Sequence, residues 1–195
     1  CQTRPEAIAE RRMKKLKELG VDQMVFGIEH GNEQYRREVI GRAYTNKLIV
    51  EKLHIPYKYG IQFSVNNIIG FPDETRDLVF DTIELNRQAR SDTMSCSIFT
   101  PNHGIRLREL ATEKGYIDKD LICPSVSDDS VLSMPPPYLN KEQIRALRRV
   151  FTMYAKFPKE RWPEIKEAEA LTPEGDMIWE KLRNEFIATF FAKQN

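Results

Sequence analysis

Residues 64–86, SVNNIIGFPDETRDLVFDTIELN, have the pattern of a buried strand that turns sharply into an amphipathic helix. The apolar run ends at Ile69, a Gly-Phe-Pro turn follows, and Thr75 is a typical N-cap for the helix. Asn66 and Asn67 interrupt the apolar run just before its end. Polar amides are unusual in a strand otherwise suited to a sheet interior, so these two positions need an explanation.

The same strand–helix unit recurs along the first 120 residues. Period-two apolar patterns predict strands at 21–30, 61–69 and 94–101. Helical patterns precede, separate and follow them, at about 6–19, 32–39, 45–59 and 105–115 as well as after Thr75. Strands separated by helices form parallel sheets. Since the chain has neither a GxGxxG motif nor a phosphate-binding lysine loop, the sequence favours an α/β fold of the partial TIM-type barrel class.

The amino-acid composition of the chain changes after residue 120. Residues 121–139 are rich in Pro, Ser and Asp and are predicted to form an extended connector. Residues 140–195 are predicted to form a helical extension, with one helix capped by Asn140 and another by Thr172. The sequence therefore predicts three parts: a barrel portion at 1–120, the connector, and the helical C-terminal extension.

Composition restricts the classes of function. The 195 residues carry a formal net charge of +1, which gives no electrostatic basis for binding nucleic acid or an anionic membrane. No apolar run approaches the roughly 20 residues that span a bilayer. Cys1, Cys96 and Cys123 are too far apart to indicate a disulfide framework or a zinc site, so a cytoplasmic location is expected. Because the chain begins with Cys rather than Met, we expect a piece of a longer protein.

Polar side chains stand where the predicted strands end. In β/α barrels, ligands collect at the carboxyl ends of the strands. Glu29, Asn66 and the turn at Thr100 would lie there, and Ser64 shares the face of Asn66. Each residue also has a plain structural interpretation: Glu29 as an exposed strand-end acid, and Asn66 as an amide that satisfies backbone groups.

Several motifs in order resemble the second half of the radical S-adenosylmethionine (SAM) core. These are VFGIEHGNE at 25–33, GRAYT at 41–45, NIIGFPDET at 67–75, and SIFTPNHGIRLRELATEKGYI at 97–117. The family's CxxxCxxC motif, which ligates a 4Fe–4S cluster, is absent, and in the family it precedes this region. Ile105 stands where many members have Thr, and His30 where they have a small residue. The pattern most resembles the branch with an upstream cobalamin-binding domain.

The resemblance implies a set of binding residues. It assigns Asn66 to the ribose of SAM and Glu29 to its sugar or methionine part. It assigns Arg42 to the SAM carboxylate or ribose, although an isolated arginine there is often a solvated helix-end cation. Gln2 falls where some members have a Glu at the end of the preceding strand. Ser64 lies beneath Asn66 on the cavity side.

The resemblance also implies chemistry and partners. SAM would be cleaved reductively to a 5′-deoxyadenosyl radical, with cluster ligands supplied by a missing N-terminal half and electrons by a flavodoxin or ferredoxin. Methyl transfer is the commonest outcome in the cobalamin branch, and the resemblance leaves the use of cobalamin open. The fragment alone is expected to be inactive. The alternatives are a non-catalytic β/α binding or scaffold domain and a fragment of a tRNA methylthiotransferase-like enzyme; the substrate is not indicated.

Overall fold

The computed structural model describes residues 2–124 and 129–191. Its centre is one sheet of four parallel strands in the order β1-β2-β3-β4. The strands are β1 (Gln2–Thr3), β2 (Gln23–Glu29), β3 (Gln62–Ile69) and β4 (Thr93–Ile98). Each strand pairs with its neighbour in sequence, so β1 and β4 form open edges within the described chain. This confirms the α/β fold of a partial barrel.

Helices connect the strands and continue after the last one. Where the sequence predicts a single helix from 6 to 19, a 3₁₀ turn at Pro5–Ala7 precedes the first helix. A π-helical turn at Arg36–Ile40 directly follows the short helix Glu33–Tyr35, and a 3₁₀ turn at Lys159–Arg161 precedes the helix Trp162–Ala168. The α-helices are α1 (Glu10–Glu18), α2 (Glu33–Tyr35), α3 (Asn46–Leu53), α4 (Ile55–Lys58), α5 (Arg76–Ala89), α6 (Arg106–Glu113), α7 (Lys141–Lys156), α8 (Trp162–Ala168) and α9 (Pro173–Phe190).

The predicted helix caps are present. The hydroxyls of Thr45 and Thr75 accept the N–H groups of Leu48 and Leu78, which fixes the starts of α3 and α5. The helix predicted from 45 to 59 is interrupted after residue 53, and α4 begins one residue before Pro56. A proline in a helix interior removes one hydrogen bond and clashes with the preceding turn, so this interruption is expected.

The sheet buries one face more deeply than the other. On β3, Phe63, Val65 and Ile69 are fully buried against the helices, whereas Ser64 and Asn66 are only half-buried. The same alternation on β2 buries Met24, Phe26 and Ile28. Period-two alternation therefore separates a helix side, which carries the hydrophobic core, from a cavity side, which carries polar groups.

The C-terminal helices share the core of the sheet. Ile144, Leu147 and Phe151 of α7 are buried in the same hydrophobic cluster as Ile69 and Ile98 of the strands. The α7 N-terminus has a capping box, formed by the side chain and backbone N–H of the predicted N-cap Asn140 and the side chain and backbone N–H of Gln143. The α7 helix therefore covers the helix side of β3 and β4, as expected for a sheet that would otherwise expose apolar surface.

Hydrogen bonds and an ion pair at Glu169 join the end of α8 to the start of α5. The Glu169 carboxylate accepts two hydrogen bonds from Arg76, at 2.9 and 2.6 Å, and one from the hydroxyl of Tyr154 at 2.6 Å. Burial by itself would raise the pKa of Glu169, but the hydrogen bonds from Arg76, Lys166 and Tyr154 outweigh it and hold this pKa below the ordinary value. Glu169 is therefore a structural anion.

Part of the predicted connector falls outside the described chain. Residues 125–128 and Cys1 belong to the part that the structure does not describe, and the division at 120 and 140 stays a prediction. Within residues 2–124 and 129–191, no helix combines the length and the apolar character that crossing a bilayer requires.

Candidate functional site

A cavity of about 460 Å³ lies at the carboxyl ends of the strands. It brings together four of the five predicted site residues, which come from β1, from the end of β2, from the second half of β3, and from the segment after α2. A groove of about 510 Å³ elsewhere, lined by residues 132–135 and 140–142, contains none of them. The residues lining the cavity are Gln2, Glu29, Ile40, Arg42, Asn66, Asn67, Ile68, Phe71, Ser97, Ile98, Phe99, Thr100, Asn102, Ile105 and Leu107.

Asn66 presents its amide to the cavity. Its Oδ1 accepts a hydrogen bond of 2.8 Å from the hydroxyl of Ser95, its neighbour on β4. Because the oxygen is engaged, the amide N–H₂ is the group left for a ligand, and no acceptor for it occurs in the described chain. Ser95 was not among the residues predicted from the sequence. The alternation in TMSCSI, which places Ser95 and Ser97 on one face, was the available signal.

Glu29 and Arg42 form an ion pair in the cavity wall. Oε1 of Glu29 lies 3.2 Å from Nη1 of Arg42, and the two side chains are only 16% and 19% exposed. Arg42 also donates to the carbonyl of Gly27 at 3.3 Å and to the hydroxyl of Tyr44 at 3.4 Å. Burial raises the pKa of Glu29 above its ordinary value, and Arg42 offsets this only in part. The pair therefore places a partly desolvated carboxylate where a ligand hydroxyl could donate to it.

The raised pKa of Glu29 predicts a pH-dependent difference in stability between the wild-type chain and Glu29→Gln. The folded chain binds the Glu29 proton more tightly than the unfolded chain does. The wild type should therefore lose stability relative to the variant as the pH rises from the ordinary value near 4.5 through the raised value. Urea unfolding of both proteins between about pH 4 and pH 8 measures this difference.

Glu180→Gln is the matched control, because Glu180 is exposed on α9. Measured in parallel, it reports the effect of losing a glutamate outside the cavity. A stability difference for Glu29→Gln that follows that of Glu180→Gln at every pH, or one of the opposite sign, would contradict the assignment of a raised pKa to Glu29.

The two remaining predicted residues occupy different depths. Gln2 lies on the short edge strand β1 and lines the cavity. Ser64 is half-buried on the cavity face of β3, two residues before Asn66, but does not line the cavity. The structure thus brings Gln2 to the other candidates and leaves Ser64 beneath them. The cofactor-binding role of all five residues stays a prediction.

The second asparagine of β3 has a structural role. Asn67 is fully buried on the helix side, where its amide exchanges two hydrogen bonds with Asn86 of α5, at 3.1 and 2.8 Å. It also donates to the carbonyl of Ser95 at 3.0 Å. The side chains of the two adjacent asparagines therefore lie on opposite faces of the sheet. That of Asn66 faces the cavity, and that of Asn67 joins β3 to α5.

The described residues do not supply the ligands of an iron–sulfur cluster. No group of three or more His, Cys, Asp or Glu side chains in the described ranges could hold a metal ion. Burial raises the pKa of the Cys96 thiol, which disfavours the thiolate that binds iron. The Cys123 thiol donates to the carbonyl of Pro101 at 3.0 Å. No reaction step through a cluster can therefore be derived from these residues.

Comparison with known proteins finds similarity over different parts of the chain. The family model of the Radical SAM superfamily matches residues 1–86. The uncharacterized methyltransferase PH0819 of Pyrococcus horikoshii is 29% identical over 160 residues, which cover 82% of this chain and 34% of the relative. The tRNA-2-methylthio-N(6)-dimethylallyladenosine synthase of Halalkalibacterium halodurans is 30% identical over 89 residues, covering 43% of this chain and 16% of the relative.

A solved structure is also similar. Coproporphyrinogen III oxidase (HemN) from Escherichia coli, described as a radical SAM enzyme, superposes with a TM-score of 0.46 at 20% identity, covering 64% of this chain and 27% of that one. The chain spans about a third of the length of the Pyrococcus relative and a smaller share of the other two proteins. The match to the Radical SAM superfamily over residues 1–86 and the similarity to the methyltransferase over 82% of the chain support the interpretation of this chain as part of a radical SAM core.

Proposed function

We propose that the cavity at the strand ends binds the nucleoside part of SAM in a radical SAM enzyme. The observation that carries this proposal is the convergence of Glu29, Arg42 and Asn66 on one cavity at the carboxyl ends of adjacent parallel strands. In β/α barrels this edge of the sheet is the usual place for ligands. A non-catalytic scaffold would have no need for a buried ion pair and an unengaged amide in the same cavity.

Each polar group suits a part of the nucleoside. The Asn66 amide can donate to a ribose hydroxyl, and the Glu29 carboxylate can accept a hydrogen bond from one. Arg42 partly offsets the rise in the pKa of Glu29 caused by burial, and it offers a guanidinium to the carboxylate of the methionine part. The apolar side chains of Ile68 and Phe99 line the same cavity and offer a surface for the flat base.

We further propose that the whole protein is a methyl-transferring enzyme. The similarity to a methyltransferase covers 82% of this chain, whereas that to a methylthio-adenosine synthase covers 43%. In this proposal the cluster ligands lie in the missing N-terminal half, a small electron-transfer protein supplies the reductant, and the described chain holds and orients SAM. A cobalamin-binding domain and the cytoplasmic location belong to the same proposal.

The proposal predicts that the isolated chain binds S-adenosylhomocysteine weakly and that Asn66→Ala weakens this binding further. Losing the amide removes one or two hydrogen bonds to the ribose, which costs about 1–3 kcal/mol, or roughly 5- to 150-fold in Kd. Titration followed by NMR would report both the affinity and the residues that respond. We expect signals of Glu29, Asn66 and Phe99 to shift.

Asn184→Ala is the matched control, because Asn184 is an exposed amide on α9 that does not line the cavity. It should bind as the wild type does. Signals that shift only outside the cavity, or an unchanged affinity in Asn66→Ala, would overturn the assignment of the ribose to Asn66. Absence of any binding by the wild-type chain up to millimolar ligand would favour the scaffold alternative.

A further inference from the structure

Glu29 has a backbone conformation that is rare for a residue with a side chain. Its φ is 65°, and the N–H of His30 donates to the carbonyl of Ile28 at 2.8 Å across it. A bond between residues i and i+2 around a positive φ is the classic γ-turn, which is rare and strained. The register between β2 and β3 also shifts here, because Gly27 pairs with Asn66 and Glu29 with Asn67. Contacts made by neighbouring residues must therefore stabilise this strained conformation of Glu29.

The turn directs the Glu29 carboxylate back into the cavity. A Cβ at position 27 would lie 2.5 Å from Oε1 of Glu29, so Gly27 leaves the space that this carboxylate occupies. From there Oε1 reaches Arg42 at 3.2 Å. An extended residue at the end of β2 would continue the strand alternation instead. The left-handed conformation therefore decides where the charge of Glu29 lies.

The next residue is held from several sides. The His30 side chain is fully buried, and its Nδ1 accepts the N–H of Asn32 at 3.1 Å. The carbonyl of His30 accepts a 2.7 Å hydrogen bond from Arg36, and its ring stacks on Tyr35 with centroids 4.6 Å apart. Because Nδ1 is an acceptor, the neutral ring carries its proton on Nε2.

Nε2 of His30 faces a second fully buried group, the carboxylate of Glu74. Nε2 lies 3.1 Å from Oε1 of Glu74, a close contact that does not have hydrogen-bond geometry, and neither atom has a hydrogen-bond partner in the described chain. The other carboxylate oxygen accepts the backbone N–H groups of Gly70 and Phe71, in the turn that ends β3. The pair therefore joins the end of β2 to the end of β3.

We infer that His30 and Glu74 are positioning residues of the nucleoside site. Their contact fixes His30, and through it the strained turn that places the Glu29 carboxylate in the cavity. The inference rests on the proposed function, since it assigns a role to Glu29 in binding. Neither His30 nor Glu74 lines the cavity, so their effect on a ligand must pass through residues that do.

The test is a double-mutant cycle on the affinity of the chain for S-adenosylhomocysteine. His30→Phe keeps the stacking on Tyr35 and removes both ring nitrogens. We expect His30→Phe and Glu29→Ala each to weaken binding about tenfold, and the double variant to lose no more than either single variant. His30→Phe should lower the urea midpoint by the same amount in the wild type and in Glu29→Ala, because its effect on folding does not depend on the Glu29 carboxylate.

The possible outcomes separate the inference from the proposed function. If Glu29→Ala binds as the wild type does, the role of Glu29 in the site is wrong, and the inference fails with it. If Glu29→Ala weakens binding but His30→Phe does not, only the inference fails. It also fails if the losses multiply to about a hundredfold in the double variant, because independent effects would then account for both.

A second comparison remains informative if His30→Phe does not fold. Glycine adopts positive φ without strain, whereas alanine does not, so Glu29→Gly should have a higher urea midpoint than Glu29→Ala. In Glu74→Gln an amide N–H₂ takes the place of the carboxylate oxygen that faces Nε2 of His30, so two donors face each other. The difference between the urea midpoints of Glu29→Gly and Glu29→Ala should therefore be smaller in this background. Equal midpoints for Glu29→Gly and Glu29→Ala in the wild-type background, or a gap unchanged in Glu74→Gln, would overturn the inference.

Discussion

Gly31→Ala is expected to prevent folding or to lower the free energy of unfolding by more than about 4 kcal/mol. A Cβ at position 31 would lie 2.2 Å from the carbonyl oxygen of Asp81 and 2.4 Å from the Cα of Thr82. Both are backbone atoms of α5, so no side-chain rotation can relieve the clash. The whole loop after β2 would have to move away from the helix.

That movement would break two further contacts. The Gly31 N–H donates to the hydroxyl of Thr82 at 2.9 Å, and its carbonyl accepts from the side chain of Asn46 at 2.8 Å. Urea denaturation followed by circular dichroism measures the loss of stability. A Gly31→Ala chain that folds with a near wild-type midpoint would show that the loop and α5 do not approach as closely as described.

Gly60→Ala is the control for replacing a glycine where the new Cβ meets no neighbouring atom. Gly60 has a φ of 63°, and a Cβ there would meet no atom within 4 Å. Its replacement should cost only about 1–2 kcal/mol, the usual penalty for a left-handed residue with a side chain. A similar loss in both variants would mean that close approach has no special importance at position 31.

Arg36→Met is expected to lower the free energy of unfolding by about 3–5 kcal/mol. Arg36 is fully buried, and its guanidinium donates to the carbonyls of His30 and Tyr44 and to the side chain of Asn46, at 2.7, 2.5 and 2.9 Å. Methionine fills most of the space but leaves the buried carbonyl of His30 and the partly buried acceptors of Tyr44 and Asn46 without their donor. Each unsatisfied buried group costs about 1–3 kcal/mol.

The neighbouring arginine provides the control. Arg37 is exposed, and its ion pair with Glu38 at 3.5 Å is solvated, so Arg37→Met should change stability by less than about 0.5 kcal/mol. Urea midpoints of the two variants, measured side by side, make the comparison. Equal midpoints would show that water or a rearranged loop satisfies the carbonyls when Arg36 is removed.

The strand faces and the helix caps could be predicted from the sequence because they depend on local rules. Period-two alternation placed Asn66 on the cavity side, and the cap residues Thr45, Thr75 and Asn140 begin helices as their side chains require. Strand β1 has only two residues, too few for any periodic pattern. Its position was expected only from the family resemblance at Gln2.

Long-range pairs between buried polar groups could not be predicted. Asn67 and Asn86 are 19 positions apart, and their pairing depends on how α5 lies across β3. From the sequence, His30 is only a departure from the family pattern, whereas in the structure it is buried against Glu74. A lone histidine has no periodic signature, so its partner becomes visible only when the two strand ends are placed side by side.

The sequential strand order also has a consequence for protein synthesis. Each strand pairs with the one made just before it, so the sheet can assemble in step with the ribosome, without waiting for distant segments. The helix that covers β3 and β4 is made much later, at residues 141–156. A nascent chain that has emerged only as far as β4 therefore exposes Ile69 and Ile98 to water. Chaperones that bind apolar segments should recognise this intermediate most strongly, and release it once α7 has docked.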